Sequence, residues 1–220
     1  MTKIRRNVFE TNSSSCHSIT LGNLSIKEKN LKKYTSLIFQ GGEFGWEYIE
    51  YNTPQDKLSY YLSALEIYMR MKQREMCAKR FVGENAYYHE YWISDDRSIA
   101  NKNCGSCPLD IFQEVGADIT SRIKDLVSEL KSNNTSVIFR DKSGSDIEEW
   151  EFFDKLEEMY SQNAWKKNSV LDIPYSEGYI DHQSAPTESS ECYNLVLMPA
   201  SDIVGWIYGD GYVQGGNDNG

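Results

Sequence analysis

No apolar run in this chain approaches the ~18 residues needed to cross a bilayer, so a membrane-spanning helix is not expected. The first ten residues, MTKIRRNVFE, carry charge with no hydrophobic stretch behind it. That argues against a secretory signal and makes the cytoplasm the expected compartment. Positive charge is in deficit: 23 Lys and Arg stand against 33 Asp and Glu, a formal net charge of −10. A surface of that sign repels nucleic-acid phosphates and disfavours direct DNA or RNA binding. It suits docking onto a basic groove. Histidine is scarce, with three residues, and the five cysteines form an odd set, expected to be thiols in a cytoplasmic protein. Internal repeats and low-complexity linkers are missing. QGGEFG lacks the Lys-Ser/Thr of a phosphate-binding loop and the spacing of a dinucleotide fingerprint. GDGYVQGGNDNG lacks the ligand spacing of a calcium loop.

What is present is enough for a full core. A chain of 220 residues should bury roughly 70% of the surface its unfolded form exposes. Aromatic residues reach 13%, with 15 tyrosines, which argues against disorder over most of the length. A single domain is expected over residues 1–210, with 211–220 as a flexible tail.

KIRRNVFE and CHSITL read as short strands joined by TNSSS, whose side chains compete with a ladder for backbone groups. SLIF reads as a strand running into a Gly41-Gly42 turn. The clearest helix opens with Thr53 as N-cap, Pro54 at the first position and Asp56 at the positive dipole end. Its apolar stripe is Leu58, Leu62, Leu65, Met69 and Met76, through about Arg80. AYYHEYWIS reads as a strand and 95–108 as a loop. A second helix is expected over 118–131, with Ile119, Ile123, Leu126, Val127 and Leu130 on one face. TSVIFRD reads as a strand, followed by an acidic helix capped by Ser145 or Asp146. SVLDIPY, GYIDHQS, YNLVLMPA and SDIVGWIYGDG are further strand candidates. Strands and helices mix without a βαβ period, which indicates an α+β fold with a mixed or largely antiparallel sheet and two to four packed helices.

Two polar stretches stand out. FETNSSSCHS brings Glu10, Asn12, Ser13, Ser14, Ser15 and His17 together, and GYIDHQS brings Asp181, His182 and Ser184. Converging in the fold, they would supply two imidazoles as general acid and base. Glu10 or Asp181 would orient a ring, and Asn12 with the serines would bind phosphate or carbonyl oxygens. The same set would also supply ligands for a divalent metal. His182 and Ser184 share a strand face, which resembles one half of the paired H-x-S/T signature of 2H phosphoesterases. His17 is followed by Ser18, Ile19 and Thr20, so the other half is missing. The bland reading is turn chemistry and a satisfied histidine. NCGSCPLD adds Cys104 and Cys107 with the two-residue spacing of a zinc knuckle or dithiol. No second C-x-x-C exists, so Cys77, Cys192 or His89 would have to complete a zinc site. Two loop thiols are the alternative. Glu148, Glu149, Glu151, Glu157 and Glu158 form a solvated helix face or an acidic docking surface.

With these stretches in view, the chain resembles a group of uncharacterised proteins encoded by bacteriophages and prophages of Gram-positive bacteria. They share an N-terminal F-E-T-N-S-S-S-x-H-S signature, and GEFGWEYIEYNTPQDKLSYYL is similar to their Phe-Gly-Trp-Glu stretch and helix. Cys16 falls at the variable position of that signature. The resemblance implies host takeover or anti-defence and brings no established activity. Three functions follow as expectations. The first is a phosphodiesterase, hydrolase or transferase acting on a nucleotide or other small phosphorylated ligand. The second is an acidic, non-enzymatic inhibitor, anti-CRISPR-like, on a basic surface of a host nuclease or defence complex. The third is a virion or assembly component.

Overall fold

The structure is a computed structural model that describes residues 16–22, 36–44, 50–82, 107–167, 173–175, 178–180 and 191–218. Its centre is helix α1 (Pro54–Val82). The start follows from three residues. The Asp56 main-chain N–H donates to Thr53 Oγ1 at 3.2 Å, the Thr53 hydroxyl donates to the Asp56 carboxylate at 2.6 Å, and Pro54 needs no donor there. Every residue from 57 to 66 is buried, so α1 is enclosed on all sides, unlike an ordinary amphipathic surface helix. Leu58, Leu62, Leu65 and Met69 form the expected apolar seam, with Met76 half-buried against it.

Helix α2 (Leu109–Ser132) starts at Pro108, well before the predicted Asp118, because Ile111, Phe112 and Val115 extend its apolar face by two turns. It lies against α1, and Tyr160 crosses it at Gly116. A Cβ at Gly116 would overlap Tyr160 Cγ and lie 2.7 Å from Tyr160 Cβ, so the approach requires glycine. The helix ends at its C-cap Asn133, and the next residue, Asn134, takes the left-handed φ of 58° that asparagine tolerates.

Three small sheets surround this pair. β2 (Ser36–Phe39) runs parallel to β5 (Ser136–Arg140), which pairs antiparallel with β6 (Asp146–Ile147). Phe39, Phe139, Phe152 and Tyr175 fill the space under this sheet, with ring centroids 4.7–6.2 Å apart. β3 (Glu43–Phe44) pairs parallel with β7 (Tyr179–Ile180). β1 (Cys16–Gly22) and β4 (Glu50–Tyr51) flank β8 (Tyr212–Asp218), both antiparallel to it. Helices α3 (Glu149–Met159), α4 (Gln162–Lys167), α5 (Glu191–Leu197) and α6 (Ala200–Tyr208) complete the described elements. The architecture is α+β, and no described helix is long and apolar enough to cross a membrane.

Four expectations are corrected. YNLVLMPA and SDIVGWIYGDG form α5 and α6, which raises the described helices to six, beyond the two to four expected. Ile203, Val204, Ile207 and Tyr208 fall on one helical face and are buried against α1 and α2, which overrides their strand propensity. The expected flexible tail 211–220 is replaced through Asp218 by β8, the middle strand of its sheet, with Val213 fully buried. Ser145 and Asp146 do not cap α3. Asp146 belongs to β6, and Glu148 takes the N-cap position without a side-chain bond.

Candidate functional site

Glu10, Asn12, Ser13, Ser14, Ser15, Asp181, His182, Ser184 and Cys104 lie outside the described residues. His17 sits on β1 opposite Asn217 of β8. The GYIDHQS stretch enters through Gly178 and β7, and here the structure is specific. The Gly42 N–H donates to Ser63 Oγ at 3.0 Å, and the Ser63 hydroxyl lies 3.1 Å from Gly42 O and 2.9 Å from Ser59 O. A Cβ at Gly178 would overlap Ser63 Oγ, lie 2.6 Å from Ser63 Cβ and 2.9 Å from Gly42 N. The backbone at Gly178 is thus clamped onto α1 three residues before Asp181.

Ser63 belongs to a polar seam that composition alone does not suggest. Gln55, Ser59, Ser63, Glu66, Arg70, Gln73 and Cys77 are spaced four, four, three, four, three and four residues apart, so they run along one side of α1. Gln55 replaces a strand partner: it accepts from Ile38 N–H at 2.8 Å and donates to Ile38 O at 2.9 Å. Glu66, 2% exposed, pairs with Arg70 at 2.5 Å. Tyr175 is buried beside this pair and donates to Leu62 O at 3.3 Å. Burial, reinforced by the Glu66 carboxylate, pushes its phenol well above the ordinary range. The 3–4 spacing of these polar residues was the available signal, and the leucine stripe on the same helix masks it.

Lys57 is 1% exposed, and its ammonium donates to Trp206 O at 3.0 Å, Gly209 O at 2.8 Å and Gly211 O at 3.0 Å. All three protons are used, and they satisfy carbonyls around the end of α6, where the helix dipole favours a cation. Burial lowers this lysine to about 8, opposed by the nearby Asp210 carboxylate. A group so enclosed fixes the turn between α6 and β8 and is not available as a nucleophile.

Cys107, expected beside Cys104, meets a different thiol: its Sγ lies 3.4 Å from that of Cys77 near the end of α1. Trp165 Nε1 donates to Cys107 O at 2.6 Å and holds the start of α2 in place. Among the described residues no group of three or more His, Cys, Asp or Glu side chains could hold a metal, so a zinc or other divalent site finds no support there.

The acidic helix α3 is more neutralised than its sequence suggests. Glu149 pairs with Lys131, Glu157 with Lys124 at 2.8 Å, Glu151 with Lys155 at 2.7 Å, and Asp146 with Arg140 at 3.0 Å. Glu148, Asp154 and Glu158 are exposed. Among them stands Trp150, 66% exposed, with half-buried Ile147 and Phe153 three residues to either side. The acids are plain in the sequence, whereas the exposure of Trp150 is set by the fold. Compared with known proteins, the chain matches no family model, no curated protein and no solved structure.

Proposed function

We propose that this protein acts by binding, with the outer face of α3 docking onto a basic surface of a partner protein. The observation that carries this reading is Trp150. Large aromatic side chains are normally buried, and tryptophan is the residue type most enriched at interface hot spots. An apolar centre of Ile147, Trp150 and Phe153 within a rim of carboxylates matches the usual interface plan of an aromatic core and polar surround. Asp146, Glu149, Glu151 and Glu157 are paired with Arg140, Lys131, Lys155 and Lys124, and the exposed carboxylates of Glu148, Asp154 and Glu158 around Trp150 make a basic partner the complementary one. The resemblance to phage-encoded proteins makes a nuclease or defence complex of the host the class of partner, and inhibition the purpose.

The test uses partners recovered from host extract on the immobilised protein and then measured singly. Trp150→Ala should weaken a true partner by roughly 30-fold or more, the lower bound of a hot-spot truncation, with an unchanged melting temperature. Raising salt, or changing Glu148, Asp154 and Glu158 to Gln, should slow association. A partner whose binding ignores Trp150→Ala and salt overturns the reading.

The enzymatic reading is favoured by one observation, the clamp of Gly178 on Ser63. It gives the strand leading to Asp181 and His182 the rigid support that positioned acid–base groups need. His17 and His182 would then transfer protons at a nucleotide or other phosphorylated small molecule. Replacing either with alanine should abolish turnover while leaving the melting temperature close to wild type. Activity retained in both variants would end this reading.

A further inference from the structure

We propose that Cys77 and Cys107 form a reversible redox site, a dithiol oxidised to a disulfide by small hydroperoxides. The two sulfurs lie 3.4 Å apart. That exceeds the ~2.05 Å of a disulfide bond, so closure needs the two sulfurs to move together by roughly 1.4 Å. They sit on different elements, Cys77 near the end of α1 and Cys107 two residues before α2. Closure therefore ties the C-terminal part of one central helix to the start of the other.

The two thiols differ in role. Cys77 donates its S–H toward Cys107. That bond lowers Cys107 to about 7 despite burial, with Gln73 and Arg80 assisting and Asp110 opposing. The position also places Cys107 at the positive end of the 24-residue α2, which favours a thiolate. Cys107 is the attacking sulfur and Cys77 the resolving one.

Burial selects the oxidant. Cys77 is 4% and Cys107 8% exposed. A bulky disulfide such as oxidised glutathione has to bring its sulfur in line with the attacking thiolate, whereas hydrogen peroxide is hardly larger than water. In the first step the Cys107 thiolate attacks one peroxide oxygen. The S–O bond forms, the O–O bond breaks, and the departing hydroxide takes a proton to become water. Cys77 then gives up its proton and attacks the sulfenic sulfur. The S–S bond forms, the S–O bond breaks, and a second water leaves. Two thiols lose two electrons, and one peroxide becomes two waters.

The full-length chain is treated with hydrogen peroxide, its remaining thiols are counted and the products mapped by peptide mass spectrometry. Two of the five thiols should disappear together as a 77–107 disulfide. The melting temperature should rise by about 5–10 °C, from loop closure in a chain of this size, and a thiol reductant should reverse it. Cys104→Ser should change nothing. In that background, adding Cys77→Ser should stop oxidation at a Cys107 sulfenic acid that dimedone traps. Oxidised glutathione should act more slowly than peroxide. A 104–107 disulfide, no thiol loss with peroxide, or equally fast oxidation by glutathione disulfide overturns the proposal. The map of the wild-type chain decides the matter even where a serine variant does not fold.

Discussion

Gly178→Ala tests the clamp that seats the backbone just before β7 against α1. Gly178 does not carry a positive φ. On backbone grounds alone, alanine there should therefore stabilise the protein by about 0.4–1 kcal/mol through the unfolded state. Space gives the opposite sign. The added carbon would overlap Ser63 Oγ and stand 2.6 Å from Ser63 Cβ and 2.9 Å from Gly42 N. The last two cannot yield by rotating a side chain. Overpacking of this kind costs about 1–3 kcal/mol. Displacing the Ser63 hydroxyl from Gly42 and Ser59 forfeits a few hydrogen bonds worth about 1 kcal/mol each. The expected loss is about 2–5 kcal/mol, read as a fall in melting temperature of about 5–15 °C. Urea unfolding gives the free energy directly. Ser63→Ala should not rescue the variant, because the Cβ remains. Ser63→Gly should rescue it in part, at about 1 kcal/mol for a glycine inside a helix. An unchanged or raised melting temperature in Gly178→Ala would refute the packing argued here.

Gly116→Ala should destabilise although it improves helix propensity by about 1 kcal/mol, because the new carbon meets the root of the Tyr160 side chain. A double-mutant cycle with Tyr160→Ala, followed by urea unfolding, should show coupling of about 1 kcal/mol or more. Lys57 sets a rise in stability on the alkaline side. Between pH 8 and 10.5 the unfolded chain holds a proton that the folded one has released, so unfolding becomes harder by up to about 3 kcal/mol. Tyr61 and Tyr175 act in reverse above pH 10, since burial makes the folded state keep phenol protons that the unfolded state loses. Melting temperature against pH should peak near 9–10, and Lys57→Met should remove the rising limb. A flat profile in the wild-type chain would contradict the assignment.

The α1 helix was legible because its start is local chemistry: Thr53, Pro54 and Asp56 specify a cap, and the leucines repeat at helical spacing. The α5 and α6 helices were misread because Val196, Ile203, Val204 and Ile207 carry strand propensity. Only burial against α1 and α2, invisible in a local window, decides for helix. β8 was misread for a related reason. A stretch with Gly215, Gly216 and Asn217 has little local preference, and its pairing with β1 joins opposite ends of the chain. For the site, sequence flagged Cys107 but paired it with the cysteine nearest in sequence. The fold brings up Cys77, 30 residues away. The acids of α3 were visible, as was the i,i+4 spacing of Glu151 and Lys155, while neutralisation by Lys124 and Lys131 depended on packing against α2.

The polar seam of α1 explains how one helix can order so many short segments. β3 and β7 have two residues each, too few to hold a register by ladder bonds alone. Apolar burial is non-directional and would let such pieces slide. Gln55 bonds both main-chain groups of Ile38, Ser63 holds Gly42 and seats Gly178, and Lys57 gathers the carbonyls of residues 206, 209 and 211. Each contact is directional and satisfied at one register only. Buried polar groups of this kind add little net stability, so their worth lies in selecting the arrangement. Gln55→Leu should therefore loosen β2 specifically, seen as faster amide exchange at Ile38, more than it lowers the global melting temperature.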